Sequence, residues 1–147
     1  MTDTEVLVIG GGPVGLSAAA LLGQTGIDCV VLERKPGTIR HPKATAIHPR
    51  TMEIFRRLGA SERIRAASLP LGRTHSVGWK TQLVGGYDLG GIDLRSPVPG
   101  AFPSAELPCF CSQNVLEPLL VDLARSNPSV TLYADAEALS LDQDGEG

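Results

Sequence analysis

The chain has 147 residues, a length that favours one domain, and its 42% hydrophobic content suffices to build a core. A net charge of -3 without any Lys/Arg cluster argues against a nucleic acid or another polyanion as partner. The amino terminus has no basic stretch and its first apolar run is short, so it reads as neither a signal peptide nor a membrane span, and a cytoplasmic protein is expected.

The run Val6 to Ile9 predicts a strand, and Gly10-Gly11-Gly12-Pro13-Val14-Gly15 leads from it into an Ala-rich helix, Leu16 to Leu22. A second apolar run, Cys29 to Leu32, ends at Glu33. Strand, glycine turn, helix, strand and terminal acid together predict a dinucleotide-binding βαβ unit. Gly10 serves the tight turn, Gly12 lets backbone approach a pyrophosphate, and Gly15 lets the helix pack closely on the strand. The helix opens at Pro13 and Val14, where unpaired N–H groups and the positive dipole end suit phosphate, and proline loses nothing by lacking an N–H. At Glu33 a carboxylate accepts from both ribose hydroxyls and repels a 2′-phosphate, which favours FAD or NAD over NADP. Arg34 beside it is placed to stack on adenine or pair with phosphate.

Further along, Lys35 to His48 is polar and turn-rich. A helix is predicted from Pro49, with Ile54, Phe55 and Leu58 on its apolar face and Gly59 as its stop, and Ser61 is expected to cap a short sequel. Arg50, Arg56 and Arg57 read as its wet face. Val77 to Val84 and Tyr87 to Leu94, joined at Gly85-Gly86, predict a β-hairpin with Trp79 in the core. Ser96 to Pro108 reads as a Pro-rich connection. Leu116, Leu119, Leu120 and Leu123 predict a helix over Asn114 to Ser126, with Pro118 tolerated near its first turn. Val130 to Tyr133 is a predicted strand, and Ala138 to Asp142 another, ending in a turn signal with no returning strand. That ending predicts the front of a longer protein. Cys29, Cys109 and Cys111 form no C-x-x-C pair and read as structural thiols, while His41, His48 and His75 are too scattered for a metal site.

The glycine turn, Leu32-Glu33-Arg34, the segment His41-Pro-Lys-Ala-Thr-Ala-Ile-His-Pro-Arg-Thr-Met-Glu-Ile-Phe-Arg-Arg-Leu-Gly59 and Ser112-Gln-Asn-Val-Leu-Glu-Pro-Leu-Leu120 resemble the amino-terminal third of the single-component FAD-dependent aromatic hydroxylases. The resemblance implies an α/β chain: an incomplete Rossmann-like FAD-binding domain with a β-hairpin excursion toward a substrate-binding sheet. It places residues 1–70 and 114–147 in the FAD-binding part and 71–113 in the substrate layer. Carried over by position, Gly10, Gly12, Gly15, Glu33, Lys43 and Gln113 become FAD-binding residues, with Pro13, Val14, Arg34 and Ala44 beside them. Lys43 departs from the family pattern, which has arginine there; lysine keeps the charge but loses the bidentate fork. The family's later Asp-Gly and Gly-Asp segments have no counterpart here.

No Ser-His-Asp or Cys-His set is evident, so no catalytic side chain is assigned. The implied chemistry is the flavin's: reduction by NAD(P)H, reaction with O₂ and hydroxylation of an electron-rich aromatic small molecule. Two alternatives stand beside it, an NAD-dependent dehydrogenase and a non-catalytic nucleotide-binding fragment. Weak, ADP-directed binding without hydroxylation is expected of these 147 residues alone.

Overall fold

Short, near-continuous apolar runs lay down the central layer, a three-stranded parallel sheet in the order β1 (Val6–Ile9), β2 (Cys29–Glu33) and a third strand near the end of the chain, Val130–Ala134. The computed structural model describes residues 3–41, 43–70, 76–93 and 103–145. Between β1 and β2 runs α1 (Pro13–Gln24). A two-residue β3 (Ala46–Ile47) follows, then α2 (Pro49–Arg57) and α3 (Ser61–Ala66). The hairpin strands are β4 (Ser76–Lys80) and β5 (Asp88–Asp93). Next come β6 (Cys109–Phe110), which pairs antiparallel with β3, α4 (Gln113–Arg125) and β7 (Val130–Ala134).

Register decides which side of the sheet is covered. Val6, Cys29 and Val130 are cross-strand partners, as are Val8, Val31 and Leu132. All six face the core made with Leu16, Ala19 and Ala20 of α1 and Leu116, Leu120 and Ala124 of α4. The opposite rows, Leu7 with Val30 and Thr131 and Ile9 with Leu32 and Tyr133, lie on the other face, where Ile9 is 64% exposed. Side chains alternate along a strand, so one register gives a face packed on the helices and an opposite face that is more open, apart from the buried Val30 at its centre. Small residues draw the helices in: a Cβ on Gly23 would stand 2.7 Å from both Asn127 Cβ and Val130 Cγ2.

Several sequence-based expectations change. Ser61 does not cap α3; it is the first helical residue, buried, behind Ala60 as N-cap. By contrast, His48 Nδ1 accepts the Arg50 N–H at 3.3 Å and caps α2. Pro118, expected near the first turn of α4, lies at the start of the second; it is exposed, and the helix continues past the bond its missing N–H forgoes. In the hairpin, the Gly85-Gly86 pair is not a two-residue turn. Lys80 pairs with Asp88, residues 81–87 form the connection, and Thr81 and Tyr87 close it, the Thr81 N–H donating to the Tyr87 carbonyl at 3.0 Å and the Tyr87 N–H to Thr81 Oγ1 at 2.9 Å. Leu94, at the expected end of the second strand, lies outside the described residues. Trp79 is half-exposed and not part of the core. Ala138 to Asp142 forms no strand: pairing defines a strand, and this stretch has no partner among the described residues, with Leu139 and Leu141 exposed.

The short β3–β6 pair was not legible at all, since two residues show no period. It has a large consequence, because it brings Cys109 and Cys111 into the same core as α1 and α4. The segment 103–107 is also tied down: Ser104 donates to Glu53, and Glu106 pairs with Arg65 and, at 3.9 Å, with Arg56.

Candidate functional site

At the carboxyl end of β1 the chain reverses through Gly10, whose φ of +106° is a backbone conformation that residues with a side chain rarely adopt. Gly15 is held by proximity, because a Cβ there would lie 2.0 Å from the Gly10 carbonyl oxygen. Gly12 differs from both: a Cβ on it would meet nothing within 4 Å. No contact among the described residues requires glycine at 12. The open space lies at the N-terminus of α1, where the Gly12, Val14 and Gly15 N–H groups donate to no acceptor among the described residues and the first helical bond runs from the Leu16 N–H to the Gly12 carbonyl. Unpaired N–H groups at the positive end of a helix attract an anion.

Glu33 closes the far side of this turn. Its Oε2 accepts the Gly11 N–H at 2.7 Å and its Oε1 accepts the Lys35 N–H at 2.9 Å. A carboxylate has about four lone-pair sites, so two acceptor sites are left over once these bonds are made. Gly11 belongs to the arrangement for this reason, since a Cβ there would lie 2.8 Å from Glu33 Cβ.

The third side comes from residues far along the chain. The Gln113 N–H donates to the Ala44 carbonyl at 2.8 Å, docking the Lys43-Ala44 element on the start of α4. Gln113 Nε2 donates to Glu117 Oε1 at 2.6 Å, and Glu117 Oε2 accepts the Ile39 N–H at 2.8 Å. Together Gly11, Gly12, Glu33, Lys43, Gln113 and Glu117 line a groove of about 370 Å³. On the other side of Gln113 an apolar hollow of about 550 Å³ is bounded by Pro13, Val14, Ala44, Ile54 and Phe55.

Most of the sequence-selected residues are thus gathered around one helix N-terminus. Arg34 lines an adjoining depression with Ile9, Gly10, Leu32 and Glu137, which shares Glu33 and Lys35 with the groove. Sequence reasoning missed Gly11, Lys35 and Glu117. For Glu117 a signal existed, an acid one helical turn after Gln113 on a stripe otherwise apolar. Among the described residues no group of His, Cys, Asp and Glu is placed to hold a metal, and no helix is long and apolar enough to cross a membrane. His75 lies outside the described residues.

The three cysteines are free and buried. Burial pushes the Cys29 thiol above its ordinary value and does the same to Cys111.

The FAD binding domain family matches residues 3–147, almost the whole chain. The chain belongs to that family. Similar proteins include a 2,4-dichlorophenol 6-monooxygenase of Cupriavidus pinatubonensis, 34% identical over 152 residues, covering 99% of this chain and 25% of that protein. Among solved structures, the chain is similar to aklavinone-11 hydroxylase in a ternary complex with FAD and aklavinone, with a TM-score of 0.79, 31% identity and 99% and 28% of the two chains covered. It is also similar to the flavin-dependent monooxygenase PieE in complex with FAD and substrate, with a TM-score of 0.78, 31% identity and 96% and 25% covered. The chain spans about a quarter of the length of the curated relatives it matches. None of these three relatives is a dehydrogenase, and the dehydrogenase alternative has no support.

Proposed function

We propose that this FAD-binding-family chain forms the dinucleotide-holding part of a monooxygenase that uses NAD(P)H and O₂ to hydroxylate a phenol-like or polycyclic aromatic molecule. One observation carries the proposal: the open cradle at Gly12, where unpaired N–H groups face a space that no protein atom needs, stands beside a Glu33 carboxylate with acceptor capacity to spare. That combination fits a pyrophosphate next to a ribose. In this reading the Gly12, Val14 and Gly15 amides hold the pyrophosphate of FAD and Glu33 its adenosine ribose. Lys43 supplies a positive charge from the facing wall, and Gln113 marks the passage from the groove to the apolar hollow. FAD, when bound, supplies the redox chemistry by which one oxygen atom of O₂ enters the ring and the other leaves as water.

The chain's own contribution is binding and orientation. The amides are fixed by the α1 backbone and the carboxylate by two further amides, so little reorganisation accompanies binding. The aromatic substrate and a division into an FAD-binding part and a hairpin layer are parts of the same proposal, supported by the names of the relatives and by the exposed apolar side chains of β4 and β5. Titration calorimetry with ADP and FAD tests the assignment. Glu33→Ala is expected to weaken both by about 1–3 kcal/mol, the range for hydrogen bonds to a charged group. Unchanged affinity for both ligands removes Glu33 from the site.

A further inference from the structure

Glu117 is the one charged side chain in the described core, only 6% exposed, on a helix whose neighbouring inward positions are Leu116, Leu120 and Ala124. A buried carboxylate is costly unless its oxygens are hydrogen-bonded. Here each oxygen has one donor, and both donors belong to walls of the groove: Gln113 Nε2, one turn earlier on α4, and the Ile39 N–H, 78 positions away in sequence. The loop 35–39 thus hangs between two carboxylates, Glu33 at its Lys35 end and Glu117 at its Ile39 end. No ion pair forms at Glu117 among the described residues, so its charge serves no cation there. Helix packing alone would favour leucine at this position, and leucine would strand the Ile39 N–H.

We propose that Glu117 is a positioning residue of the dinucleotide site, acting through Gln113 and through the 35–39 loop. An ionised carboxylate only accepts, so it selects the Gln113 orientation that donates Nε2 inward and leaves Oε1 free for a ligand. The same group holds the groove wall in place before any ligand arrives. The inference rests on the FAD reading above.

The test uses the full chain and its Glu117→Gln, Glu117→Leu, Gln113→Ala and Glu117→Gln/Gln113→Ala variants, with FAD and ADP affinity and amide hydrogen exchange in the absence of ligand. Glu117→Leu is expected to weaken FAD binding about tenfold and to speed exchange at Ile39, the scale of losing a bond to a charged acceptor. Glu117→Gln still accepts the Ile39 N–H but turns the Gln113 amide over. It is expected to fall between wild type and Glu117→Leu in affinity while leaving Ile39 protected, and this variant decides the matter should Glu117→Leu fail to fold. In the Gln113→Ala background the effect of Glu117→Gln should shrink to within about twofold, because coupled residues are not additive. Wild-type affinity in both Glu117 variants, or an undiminished Glu117→Gln effect in the Gln113→Ala background, overturns the proposal. Failure of the unsubstituted chain to bind either ligand overturns the FAD reading itself, a result distinct from a failure confined to Glu117.

Discussion

In the parallel sheet the row facing the helices is sealed, with Val31 at 0% and Cys29 at 1% exposure, whereas in the β4–β5 hairpin Trp79 keeps 50% and Leu89 67%. Both regions satisfy their backbone groups by strand pairing. Only the first removes apolar surface from water, at about 25 cal/mol per Å², so pairing shapes the hairpin while burial holds the βαβ layer together. The contrast also separates tasks: the sealed layer carries the groove, and the exposed ribbon carries none of its walls.

Substitutions sharpen this contrast by degrees. The largest loss is expected for Gly15→Val, which drives a branched side chain into the Gly10 carbonyl. A cost beyond about 4 kcal/mol should leave the chain unfolded by circular dichroism, and a native-like melt would show that the turn can open. Leu120→Ala empties a fully buried position on α4 and is expected to cost about 3 kcal/mol in urea denaturation; a cost under half of that would place the core elsewhere.

The buried thiols give a pH test. The raised pKa values of Cys29 and Cys111 mean that the folded chain holds these two protons more tightly than the unfolded chain does. That contribution is complete below the unfolded value and is lost as the pH rises above the ordinary thiol range near 9. Stability should therefore fall between pH 8 and pH 10, on the order of the ordinary thiol range, and fall less in Cys29→Ala. Disulfide-exchange reagents at neutral pH should label the native thiols slowly and all three rapidly in urea. Equal labelling rates would show the layer to be open. Smallest of all, Trp79→Ala in the hairpin should change stability by less than about 1 kcal/mol, and a larger loss would mean that the ribbon is packed on something.

Local chemistry was enough to read β1, α1, β2 and the acid at 33 directly from the residues, because a strand period, a glycine turn and a helix start are all short-range patterns. The same holds for α4 and β7, whose apolar spacing is regular. Ser61 and the Gly85-Gly86 pair misled for one reason: each matches a local motif, but burial of Ser61 and the Lys80–Asp88 register overrode it. Ala138 to Asp142 has strand composition and no partner among the described residues.

Adjacency along the chain therefore set the glycine turn, the helix N-terminus and the Glu33 carboxylate beside them, whose parts lie within one βαβ unit and are placed by backbone geometry alone. The rest of the groove needed the tertiary structure. Lys43 reaches it because the Gln113 N–H finds the Ala44 carbonyl, Arg34 lines the adjoining depression that shares Glu33 with it, and Glu117 enters it by joining residues 39 and 113. Hydrogen bonds between segments tens of residues apart leave no period in a sequence, since their partners are chosen by packing and not by spacing.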